Sequence, residues 1–197
     1  MAEKNDILGG LKQVQYDADP LPDLDDFGVT YDDILAQFDA SLQAVGGTLL
    51  RAASLEAAAA AVAELDVARD AKQVFWAVPD VMKSTVDLAT MEDPRELNHL
   101  PLAVVPGEFA VAENGAVWID PSSLAHRVVL FIAEHLVVVV QKSELVHNMH
   151  QAYERLGTEM PNYGLFVSGP SKTADIEQSL VIGAQGARSL YVCLIGE

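Results

Sequence analysis

Leu136-Val137-Val138-Val139-Val140 is the run that decides the fold. Side chains alternate across a strand, so five apolar residues in a row bury both of its faces. Such a strand belongs between two layers of helices. Working outward toward the C-terminus, Ser143 reads as the cap of a helix that runs to Leu156 and closes at Gly157. Strands follow at 163–167 and 189–195. Toward the N-terminus, strands read at Val128–Ala133, Ala116–Ile119, Glu108–Ala112, Leu102–Val105 and Gln73–Val78. Residues 80–100 carry short apolar runs and an Asp93-Pro94 break. Ser54 caps an alanine-rich helix through Leu65, and Thr48-Leu49-Leu50 is a short strand. Thr30 with Asp33 reads as a capping pair for a helix carrying Ile34, Leu35, Phe38, Leu42 and Val45, stopped by Gly46-Gly47. Strands alternating with helices predict an α/β layered domain with a mostly parallel sheet.

Residues 4–15 place Ile7, Leu8, Leu11 and Val14 on one helical face. The stretch YDADPLPDLDDFG then reads as an extended acidic linker, because proline removes a donor and restricts the residue before it. The expected organisation is a leading helix and linker over 1–29 and an α/β domain over 30–197.

Half of the 197 residues are apolar, enough for one core burying about 70% of the unfolded chain's surface. No apolar run reaches the length of a membrane span, and the start resembles no signal peptide. The expectation is a cytoplasmic protein. The net charge of −17 excludes a nucleic-acid partner, since phosphate binding needs clustered lysine and arginine. Nineteen of the 29 acids and seven of the 12 basic residues fall in residues 1–100, leaving −12 there and −5 in the rest. This is a solubilising surface or an acidic arm for a partner. Cys193 stands alone in a strand pattern and reads as a small buried hydrophobe. One cysteine cannot hold an iron–sulfur cluster, which takes about four thiolates. No nucleotide, flavin or metal motif is present, so no cofactor is expected.

Three constellations can carry chemistry. Ser168-Gly-Pro-Ser-Lys-Thr-Ala-Asp-Ile-Glu-Gln-Ser-Leu180 follows a strand and reads as a tight turn opening a helix that ends near Gly183. Free N–H groups at a helix start favour an anion. Ser168, Gly169, Ser171, Lys172, Thr173 and Asp175 are the expected anion-binding residues; a plain helix cap is the other reading. Glu113, in Val111-Ala112-Glu113-Asn114-Gly115, is a candidate base, nucleophile or ligand contact, or a solvated acid at an Asn-Gly hairpin tip. His147 and His150 fall at i, i+3 on the expected helix, but with no acidic partner they read as surface or capping residues.

The signature 168–180, together with FAVAENGAVWID, EHLVVVV and IGAQGARSLYVCLIG, resembles the lactate-utilization (LUD) domain family. The resemblance implies a fold like that of the ribose-phosphate isomerase and CoA-transferase group. It also implies an accessory role in oxidising lactate to pyruvate beside iron–sulfur partner proteins. The chain departs from the family pattern in four places. Asn114 and Ala116 stand where the family has threonines, Gln185 where it often has histidine, and Ala187 where it often has proline. A free-standing CoA-transferase-like or isomerase-like enzyme, or a non-catalytic ligand-binding module, stays open beside that role.

Overall fold

The structure is a computed structural model that describes residues 8–10, 28–78, 82–158, 161–173 and 181–196. Helix α1 (Ile34–Ala44) begins where Asp33 Oδ1 accepts the Ala36 N–H at 2.9 Å. Asp33 itself is the cap, not Thr30. Phe38 and Leu42, one turn apart, are the fully buried residues of α1. Strand β1 (Thr48–Ala52) follows the two glycines. Ser54 Oγ then accepts the Ala57 N–H to start α2 (Leu55–Ala63), as its sequence predicts. The expected extension to Leu65 breaks into a separate turn, α3 (Asp66–Arg69).

Five strands form the central parallel sheet: β1, β2 (Val74–Trp76), β3 (Leu102–Pro106), β6 (His135–Gln141) and β11 (Ser189–Ile195). Their order across the sheet is β1-β11-β6-β3-β2. β6 lies in the middle, with His135 opposite both Ser189 and Leu102. Its residues 136–140 are all buried, as the double-sided apolar run requires. Val137 and Val139 face the α2 side with Ala58, Val62, Trp76 and Cys193. Leu136, Val138 and Val140 face the main core with Phe38, Leu42, Leu130 and Leu190. Each such side chain contributes about 1.5–3 kcal/mol by leaving water.

A second sheet packs on that main-core face. It consists of β4 (Phe109–Val111), β5 (Ala116–Ile119), β7 (Leu145–Val146) and β8 (Leu165–Val167), in the order β7-β4-β5-β8. Ala110, Val117, Ile119, Leu165 and Val167 point inward. Phe109, Val111, Trp118 and Phe166 point outward, under helix α5 (Met149–Leu156). Gly107, between β3 and β4, has no room for a side chain. A Cβ there would meet methyls of Val117, Val138 and Val140 at 2.6–2.8 Å.

Two expected elements are different. Residues 128–133 form not a strand but a short helix, α4 (Val129–Ile132), because an unbroken apolar run does not tell a buried strand from a buried helix turn. Ser143 does not cap a long helix. Lys142–Glu144 is a single turn, β7 pairs with β4, and α5 starts only after Asn148, whose Oδ1 accepts the Gln151 N–H at 3.0 Å. Gly157, at φ +63°, does end α5. Of the helix expected to follow the signature turn and end near Gly183, residues 174–180 lie outside the described residues, and the described ends on either side are strands. Strand β9 (Lys172–Thr173) pairs antiparallel with β10 (Val181–Ile182). Residues 8–10 are helical with Leu8 exposed. The rest of the expected leading helix, and the linker to residue 27, lie outside the described residues.

Candidate functional site

The signature turn wraps the carboxyl end of α1. Ser168 Oγ donates to Asn114 O at 2.8 Å. Gly169, at φ +74°, lies so close to Val45 O that a Cβ would sit 2.2 Å from it. Lys172 Nζ donates to that same carbonyl. A cation at a helix carboxyl end complements the dipole and satisfies an orphan carbonyl. The corner is therefore built around the C-terminus of α1; the helix start that the sequence suggested after it falls on residues 174–180, outside the described residues.

Ser171 ties this turn to the stretch before β11. Its N–H donates to Ala187 O at 2.8 Å, and its carbonyl accepts the Gly183 N–H at 2.9 Å. Between the two stretches lies a cleft of about 320 Å³. Leu130, Leu136 and Leu190 form its buried floor. Ser168, Gly169, Ser171, Lys172 and Gln185 also line it, and no acid among the described residues does. Of the expected anion-binding residues, Thr173 follows just outside the lining, and Asp175 lies outside the described residues. The leucines and Gln185 are the lining residues that the motif reading missed. Gln185 had a visible signal in the Gln-Gly turn before β11. The cleft opens at the amino ends of β6 and β11, whereas open α/β sheets commonly bind ligands at the carboxyl ends.

Glu113 is not among the residues lining this cleft. Its Oε2 accepts the Met149 N–H at 2.9 Å, at the amino end of α5. Its own N–H donates to His147 O at 3.0 Å, and its carbonyl accepts from Ser41 Oγ at 3.3 Å. An acid at a helix start is electrostatically favoured. The Glu113 loop and the signature thus meet where the Ser168 hydroxyl donates to the Asn114 carbonyl, with the Glu113 and Lys172 side chains on different duties.

The histidines are separately engaged. His147 precedes α5, and its Nδ1 accepts the Tyr31 N–H at 3.0 Å. His126 Nε2 lies 2.8 Å from Met91 O. His135 Nδ1 lies 2.7 Å from Ser189 Oγ. Burial pushes the His135 pKa below its ordinary value, against the opposing pull of Glu134. Among the described residues, no three histidines, cysteines or acids are grouped to hold a metal. Burial pushes the Cys193 thiol up to about 11, which keeps it protonated and unreactive.

A larger, shallower hollow of about 550 Å³ lies beside β2, lined by Phe75, Ser84, Asp87 and Leu124 among others. Lys83 and Ser123 line it as well, but two of its polar side chains are already in use. Ser84 Oγ bonds the Trp76 backbone, and Asp87 accepts the Ala89 N–H. The smaller cleft, where the signature converges, is the better candidate.

Residues 76–195 match the model of the LUD domain. The chain belongs to the LUD domain family. Its relatives include Lactate utilization protein C 1 of Bacillus mycoides, 32% identical over 108 residues covering 51% of this chain and 46% of that protein. Lactate utilization protein C of Shouchella clausii is 34% identical over 93 residues, 45% of this chain and 40% of its own length. The Bacillus subtilis protein of the same name is 29% identical over 108 residues, 51% and 45%. The chain thus spans under half the length of each. A crystal structure of a DUF162 family protein from Deinococcus radiodurans shares the fold. Its TM-score is 0.64 at 17% identity, over 83% of this chain and 96% of that one. Among the described residues, no helix of this LUD-family chain is long and apolar enough to cross a membrane.

Proposed function

We propose that this LUD-family protein is an accessory component of lactate oxidation to pyruvate, binding a small carboxylate in the cleft between Ser168 and Ala187. The observation that carries this reading is the family membership, together with relatives named for lactate utilization. The cleft supports it. In a chain of net charge −17, its described lining residues include one lysine and no acid. Lys172 has three donors and gives one to Val45 O, which leaves two for a carboxylate. Ser171 and Gln185 add neutral donors. Electrons removed from lactate need a carrier, and one cysteine supplies too few thiolates for a cluster. The family resemblance implies separate iron–sulfur proteins as the carriers, with this chain as their partner. Glu113 takes a supporting part by holding the amino end of α5.

The test is complementation. A Bacillus subtilis strain lacking its own lactate utilization protein C is grown on lactate as sole carbon source with this chain expressed. Restored growth is expected, and it should be lost when Lys172→Met and Gln185→Ala are combined. No restoration by soluble, folded protein overturns the role. Full restoration by the double variant overturns the cleft's part in it.

A further inference from the structure

We infer that the cleft between Ser168 and Ala187 takes an amphipathic monocarboxylate with a hydrocarbon body, not a three-carbon acid; this rests on the reading of that cleft as a ligand site. Size is the first argument. A volume of about 320 Å³ matches the lower end of pockets for drug-sized ligands, roughly 300–1,000 Å³. A three-carbon hydroxy acid has about six non-hydrogen atoms and fills about half of it, at no more than one water's share of ~30 Å³ per atom.

Lining is the second argument. Leu130, Leu136 and Leu190 are 4%, 1% and 1% exposed, so the floor is part of the hydrophobic core. Leu165 and Val167 of β8 add apolar wall. At the mouth, Phe131 is 43% exposed although it is large and apolar. A chain lying on the floor would cover that ring. The donors are gathered in two short stretches, Ser168–Lys172 and Gln185. The Gln185 amide makes no hydrogen bond to another described residue. The lining combines one cation and neutral donors with leucine and valine side chains, as a carboxylate on a chain of about six to ten carbons would require for a pocket of this class. A ligand with a second charge would bury it against leucine, at a large desolvation cost.

The experiment is calorimetric titration of the full chain with butanoate, hexanoate, octanoate and decanoate, with lactate as the three-carbon comparison. Affinity should rise about fourfold per added methylene until the floor is covered, then level off. Ala187→Leu, which fills the wall, should cut octanoate affinity at least about tenfold, as loss of several methylene contacts predicts. Gln185→Ala, at an exposed position, should cut it about three- to tenfold with the melting temperature unchanged, as for one lost hydrogen bond. If Ala187→Leu fails to fold, Gln185→Ala and the chain-length series still decide. Lactate binding as tightly as octanoate overturns the hydrocarbon inference and leaves the cleft as a ligand site. No binding by any of the five acids, or binding indifferent to both substitutions, overturns the cleft reading itself.

Discussion

Lys172 carries a double demand: its ammonium closes α1 at Val45 O, and the residue lines the cleft. Replacing it by Met keeps the aliphatic stem and removes both. The lost capping bond and dipole contact are worth about 1 kcal/mol together. Lys172→Met should therefore lower the melting temperature by about 2–4 °C for a chain of this length. An unchanged melting curve would mean that the bond to Val45 contributes nothing. His135 sets a pH dependence. Burial holds its folded pKa below the ordinary 6.5, so the unfolded chain takes up a proton first as pH falls. Its contribution is fully present above about pH 6.5 and is lost as pH drops through the lower folded value. Urea midpoints measured from pH 7.5 to 5.5 should decline more steeply in the native protein than in His135→Gln. Parallel declines would remove His135 from the account.

At the scale of elements, the packing between the two sheets leaves no spare room at Gly107. An added methyl would press on Val117, Val138 and Val140 together, two of them in the central strand β6. Gly107→Ala should cost about 1–3 kcal/mol by overpacking, and denaturant titration would read it directly. A neutral result would mean that the sheets separate easily. Asn148 joins elements in another way. It is 2% exposed, caps α5 through Oδ1, and through Nδ2 donates to Val29 O at 3.0 Å. One side chain thus starts a helix and pins the entry of the chain into the domain. Its loss by Asn148→Ala should cost more than the ~1 kcal/mol of an ordinary cap.

Across the whole molecule, the described chain engages the body from Gly28 onward. Gly28 packs against the Asn148 amide, and the Tyr31 N–H is held by His147. Deleting residues 1–27 should leave a single cooperative unfolding transition by circular dichroism. Loss of that transition would place the leading segment in the core. A cut carried through Tyr31 should instead destabilise the domain, because it strips partners from both His147 and Asn148.

Local pattern alone determined the central sheet and several helix starts. The run Leu136–Val140 demands two covered faces wherever it lies, and Ser54 caps whatever helix follows it, whereas the pattern at Thr30 and Asp33 marked a helix start but not which residue caps it. The FAVAENGAVWID and SGPSKT motifs were equally legible as family marks. Their duties were not. Lys172 finds its carbonyl 127 residues away, and Asn148 finds its own 119 residues away. No window of sequence contains both partners. The same limit explains Val128–Ala133, whose apolar side chains are buried equally well as a strand or as the helix turn they adopt. It also explains Ser143–Leu156, where pairing of Leu145–Val146 with β4 won over a longer helix. Burial and capping are properties of a residue with its near neighbours. A partner's identity, and the cleft that two distant turns enclose, exist only after the chain has closed on itself.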